Sequence, residues 1–241
     1  MNGIALVLLV GCSHAAAPVA APAPPVTATV EAPKSDPQGF EFKVRADFFD
    51  GMRGDTAALE RAIKTCDDAL ANNPKHAEAL VWHGAAMVGK SSLAYRAGDQ
   101  ATGRTLWDQG LDEMDRAVAM EPDSIGVRIP RGAVLLATAP YLPEPYKTPI
   151  VKRGIEDYEV TLAKQKPYFA KLTLHAREQL LYALTDGYAA LGDTQKAAAY
   201  FDEMTHDAAD SQLLARAKAR AAGDKVDGPT PCEQCHAAGL R

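Results

Sequence analysis

The sequence predicts an all-α fold, a stack of antiparallel helix hairpins with about nine helices, on two observations. Apolar residues make up 47% of the 241, yet alanine supplies much of that share and aromatics only 7%. Such chains suit closely packed helices better than sheets, whose strands favour aromatic and β-branched residues. The second observation is a repeated spacing. Ala62, Cys66, Ala69 and Pro74 stand at i, i+4, i+7 and i+12, and Gly110, Met114, Ala117 and Pro122 repeat the pattern 48 positions on. Gly154, Tyr158 and Thr161 give it again with Pro167 one place late, and Ala197, Phe201 and Met204 keep it without the proline. The small residue lets a partner helix approach, the large one fills the hole a turn later, and proline ends the helix.

Taken in order, the apolar spacing predicts helices over 41–52, 56–72, 76–96, 99–120, 125–138, 149–165, 168–191, 194–205 and 209–222. Asp55 and Asp193 are placed to cap two of them, since an aspartate oxygen accepts from the free N–H groups of a first turn. Two stretches break the regularity. Lys90 to Gln109 is extra sequence of helical character around a turn at Gly98-Asp99, and residues 140–149 are a proline-rich, irregular connection.

Gly84 lies ten positions after Pro74, and Gly132 ten after Pro122. Leu181, Leu184, Tyr188, Leu191-Gly192-Asp193 and Ala197 complete one ungapped unit. Over roughly residues 41–222 these positions resemble the tetratricopeptide repeat, whose period is about 34. The excess here (48 − 34 = 14) reads as two extra turns on each helix of the second hairpin. The resemblance implies a concave helical face that holds an unidentified protein or peptide.

The ends of the chain read differently. Ile4 to Val10 is an apolar run too short for a membrane span of about 20 residues but suited to a signal-peptide core. Leu9-Val10-Gly11-Cys12 resembles the lipobox of bacterial lipoproteins, although Met1-Asn2-Gly3 lacks the usual basic residue. That resemblance implies removal of residues 1–11 and lipid attachment at Cys12. Ser13, where an aspartate would be the inner-membrane retention signal, implies a periplasm-facing outer-membrane lipoprotein. Residues 12–39 read as a tether, because residues 14–37 hold six of the 16 prolines and little that can form a core. The helical domain then covers 40–222, with a tail over 223–241.

That tail carries Cys232-Glu233-Gln234-Cys235-His236. Cys-x-x-Cys-His is the attachment pattern of c-type haem: two thiols reach the two vinyl groups and the imidazole reaches the iron. Cys232, Cys235 and His236 are therefore the candidate haem c site, with His236 as iron ligand and Met204 or His206 as candidate distal ligands. Two other readings stay open, a disulfide between the cysteines or a metal site completed from elsewhere. Gly223, Gly228, Pro229 and Pro231 separate the motif from the last helix, so the pocket is not identifiable from sequence.

Other features carry less. A net charge of −5 without a basic stripe speaks against nucleic acid as a partner. Gly84 to Ser91 fits G-x-x-x-x-G-K-[ST], but Gly84 falls in phase with the helix repeat, which would tie up the N–H groups a phosphate needs. His83 and His175 read as hydrogen-bonded structural residues, and Cys66 as a small core hydrophobe. Asp108, Asp112, Glu113 and Asp115 read as a solvated helix face, and Arg128 and Arg131 as buried partners of a carboxylate such as Asp157. No hydrolase, zincin or dinucleotide fingerprint is present, so the reading leans away from an enzyme.

Overall fold

Proline and glycine punctuate the chain on opposite sides of the first two hairpins. The computed structural model describes residues 39–226, in which nine α-helices and no strand are found. They are α1 (Phe40–Met52), α2 (Thr56–Asn72), α3 (Ala77–Arg96), α4 (Gln100–Met120), α5 (Ile125–Thr138), α6 (Lys147–Gln165), α7 (Leu174–Ala190), α8 (Thr194–Asp207) and α9 (Leu214–Ala221). Asn73 and Glu121, each followed by proline, leave the helical region at φ −143 and −134, and so end α2 and α4.

At the other side, α1, α3, α7 and α9 each end on a glycine of positive φ followed by aspartate: Gly54-Asp55, Gly98-Asp99, Gly192-Asp193 and Gly223-Asp224. The left-handed glycine lets the aspartate N–H reach back to the carbonyl of Asp50, Ala94, Tyr188 or Ala219 and close the helix end. The side chains of Asp55, Asp99 and Asp193 then accept from Ala58, Thr102 and Lys196 and start the next helix. One dipeptide thus ends one helix and begins another.

The hairpins α1–α2, α3–α4, α5–α6 and α7–α8 stack, with α9 packed on α7 and α8. Register fixes the directions. Phe40 meets His76 and Met52 lies over Gly89, so α1 and α3 run parallel. Glu78 abuts Gly126, Leu136 reaches Gly187, and Arg216 and Arg220 bond Tyr182 and Asp186, which extends the parallel set through α5, α7 and α9. Their C-terminal ends share one edge of the stack. Within hairpins the close approaches are those expected of the small residues: Gly84 on Gly110, and Gly132 on Tyr158.

Two helix starts differ from the sequence expectation. Lys166 stays helical before Pro167, and a 3-10 stretch, Lys166–Lys171, follows, so α7 begins at Leu174 rather than 168, capped by Thr173. Ala208 leaves the helical region at φ −140, and Ser211 then accepts from the Leu213 N–H, so α9 begins at Leu214 rather than 209. The start of α6 at Lys147 places Pro149 in a first turn, where a missing N–H leaves no bond unmade.

The third hairpin is held by buried charge. Arg131 Nε and Nη2 donate to the two carboxylate oxygens of Asp157 at 2.7 and 2.8 Å, and Arg128 Nη1 donates to one of them at 2.8 Å. Asp157 is fully buried, as the sequence reading anticipated for these three residues.

Candidate functional site

The two irregular stretches of sequence meet. The added turns of α3 and α4 form a longer hairpin, pinned where the buried Ser91 hydroxyl donates to the Gly103 carbonyl at 2.8 Å. One turn further out, the Tyr95 ring lies against Gly103, close enough that a Cβ there would stand 2.8 Å from it. Tyr95 and Trp107 project from this hairpin toward the connection after α5, where a 3-10 turn, Ala139–Tyr141, leads into Leu142, Pro143 and Tyr146. Between them lies a groove of about 750 Å³, floored by Met52 and Thr138 at the C-terminal ends of α1 and α5 and by Gly89, two turns before the end of α3. Tyr141 and Tyr146 are 87% and 56% exposed, so this rim presents aromatic surface that the fold leaves uncovered.

The groove also carries charge of one sign. Arg96 and Arg104 line it, and no aspartate or glutamate does. Arg104 Nε donates to the exposed Asp108 at 2.7 Å, and its guanidinium stands 6.0 Å from the Tyr146 ring. Sequence reasoning noticed both segments as irregularities but not their convergence; the signal was the aromatic content of each.

The residues singled out from sequence fall as follows. Cys12, Cys232, Cys235 and His236 lie outside the described residues. Met204 is fully buried in α8, so reaching an iron would require opening the core, which corrects its candidacy as a distal ligand. His206 is exposed on α8, with Nδ1 on the Asp202 carbonyl at 2.8 Å. Gly84 to Ser91 lies wholly within α3, so its N–H groups are spent in the helix and no phosphate cradle exists there. Cys66 is a buried free thiol, pushed up to about 12 by burial and then by the nearby charges of Asp67 and Glu113. Among the described residues no cluster of three His, Cys, Asp or Glu converges on a metal position, and no helix is long and apolar enough to cross a membrane.

The acidic face of α4 needs a correction. Asp108 and Asp112 are solvated, pairing with Arg104 and Arg116 one turn away. Glu113 instead turns inward and bonds His83 Nδ1 at 2.6 Å, while Asp115 stays half-exposed and pairs with Arg131 and Arg153. Glu113 does so because α4 packs flat on α3 at Gly84, where an added Cβ would stand 3.0 Å from Glu113 Cβ.

His83 also faces Asp67 through Nε2 at 3.4 Å. Burial lowers its pKa, but the bond from Glu113 and the charges of Glu113 and Asp67 outweigh burial and the opposing Lys90, so the net direction is upward. A raised folded-state value gives stability that is complete below the unfolded pKa of about 6.5 and lost as pH rises through the folded one. Urea unfolding at a series of pH values should show this loss above about 6.5 in the wild type and a flatter profile in His83→Gln. Identical slopes would remove the charged pair.

No protein-family model matches the chain, and no curated protein or solved structure matches it.

Proposed function

We propose that this protein is an exported, lipid-anchored scaffold of tetratricopeptide type that carries one covalent haem c for electron transfer or haem-dependent sensing. Cys12 is the anchor, residues 12–39 the tether, and the parallel helices α1, α3, α5, α7 and α9 offer a face for a partner protein in the periplasm. The observation that carries the reading is Cys232-x-x-Cys235-His236 on a chain whose start resembles a lipoprotein export signal. Haem attachment there needs no oxidant: each thiol S–H adds across one vinyl double bond, sulfur to the inner carbon and hydrogen to the outer.

Intact mass of the protein purified from membranes tests both ends at once. The expected species begins at Cys12 and exceeds the polypeptide by its lipid and one haem. Replacing Cys232 and Cys235 together by alanine removes the haem mass and leaves the lipid. A colourless native protein with Cys232 joined to Cys235 would establish a scaffold without haem.

A further inference from the structure

We infer that the groove between the α3–α4 extension and the 139–146 connection is the seat of the haem borne by the tail, with Arg96 and Arg104 facing its propionates. This rests on the haem reading above and supplies the pocket that the motif itself lacks.

Reach is the first support. The contacts of Arg216 with Tyr182 and of Arg220 with Asp186 set α9 parallel to α7, and Leu136 beside Gly187 sets α7 parallel to α5. The chain therefore leaves α9 on the same edge of the stack where the C-terminal halves of α1, α3 and α5 floor the groove. Helix spacings of about 8–10 Å put the groove two to three helices away, roughly 20–30 Å. From Asp224, where the turn that closes α9 ends, to Cys232 the chain can span about 26–29 Å when extended.

Charge is the second. Haem presents two carboxylates, and the groove presents two guanidiniums and no acid. Arg96 has no ion pair among the described residues. The Arg104–Asp108 pair is a surface contact one helical turn apart, of the kind worth little and readily exchanged. Shape is the third: about 750 Å³ lies within the range of cofactor pockets, and Leu93, Trp107, Leu142 and the tyrosines supply apolar walls for a macrocycle.

The test uses the full chain matured with haem, its attachment first verified by mass. Circular dichroism in the Soret region reads whether the haem sits in an asymmetric protein site. The wild type should give a Soret signal, and Tyr146→Ala with Trp107→Ala should lower it by half or more while far-ultraviolet dichroism and haem mass stay unchanged. Arg96→Gln with Arg104→Gln should lower the reduction potential, because two positive charges near the iron favour the reduced form. Amides of residues 89–107 should exchange more slowly in the haem-bearing protein than in the Cys232→Ala, Cys235→Ala protein. Full haem mass with spectra, potential and exchange indifferent to these changes overturns the seat alone and leaves the groove to a partner's peptide. Absence of haem mass overturns the seat together with the proposed function.

Discussion

Asp157→Leu should lower the unfolding free energy by about 3–5 kcal/mol, the range for removing one partner of a buried ion pair. The side chain of Asp157 is fully buried, and those of Arg128 and Arg131 are nearly so. Arg131 grips both carboxylate oxygens, and Arg128 shares one while its Nε donates to the Pro122 carbonyl at 2.8 Å. Without Asp157 two guanidiniums face each other inside the third hairpin, and only the outlying Glu156 and Asp115 remain to balance them. At about 2–4 °C per kcal/mol for a domain of this size, the melting temperature should fall by roughly 10 °C. Arg128→Met, Arg131→Met and Asp157→Leu together should recover much of the loss, because apolar residues of similar volume can replace a buried charge cluster. A single-variant loss below about 1 kcal/mol would mean that water reaches this cluster.

Local signals decided which features were legible in the sequence. Pro74 and Pro122 end helices through their own covalent structure, so the ends of α2 and α4 could be read directly. The caps at Asp55 and Asp193 act within one turn and were equally visible. The start of α7 was not, because Pro167 sits one place late and a helical Lys166 delivers the chain into a 3-10 stretch. The recurrence of Gly-Asp at four helix ends was present in the sequence, but the positive φ that closes each helix is a property of the backbone. The pairing of Arg128 and Arg131 with a carboxylate such as Asp157 was legible from residue type, since a charge inside a packed helix pair needs its opposite. The inward turn of Glu113 was not legible, because the face an acid occupies depends on how closely α4 lies on α3.

The groove shows the limit most clearly. Tyr95 and Trp107 belong to one segment and Tyr141 and Tyr146 to another, and nothing local joins them. Their meeting follows from the parallel register of α3 and α5, which a chain of spacings does not contain until the contact of Glu78 with Gly126 is known. Chemistry and architecture are also divided along the chain. The sharp motif lies in the tail, whereas the cationic, aromatic groove lies in the body.

Gly84→Leu should cost about 3 kcal/mol, the upper end of the usual range for overpacking. A Cβ at Gly84 would stand 2.7 Å from the Gly110 carbonyl oxygen and 3.0 Å from Glu113 Cβ and Met114 Cγ. The nearest of these atoms is backbone, so no rotamer change relieves it; the two helices must separate. The relation is reciprocal, since a Cβ at Gly110 would meet the Gly84 carbonyl oxygen at 2.6 Å. Separation would also strain the His83–Glu113 and Ser91–Gly103 bonds and tilt the extension that carries Tyr95 and Trp107. Gly84→Ala makes the cause unambiguous. In an open helix interior alanine is worth about 1 kcal/mol over glycine, so a mere propensity effect would stabilise the protein. Close helix contact predicts the opposite sign, a net loss in chemical denaturation. A stabilised Gly84→Ala protein would show that α3 and α4 lie farther apart than the geometry at Gly84 and Gly110 requires.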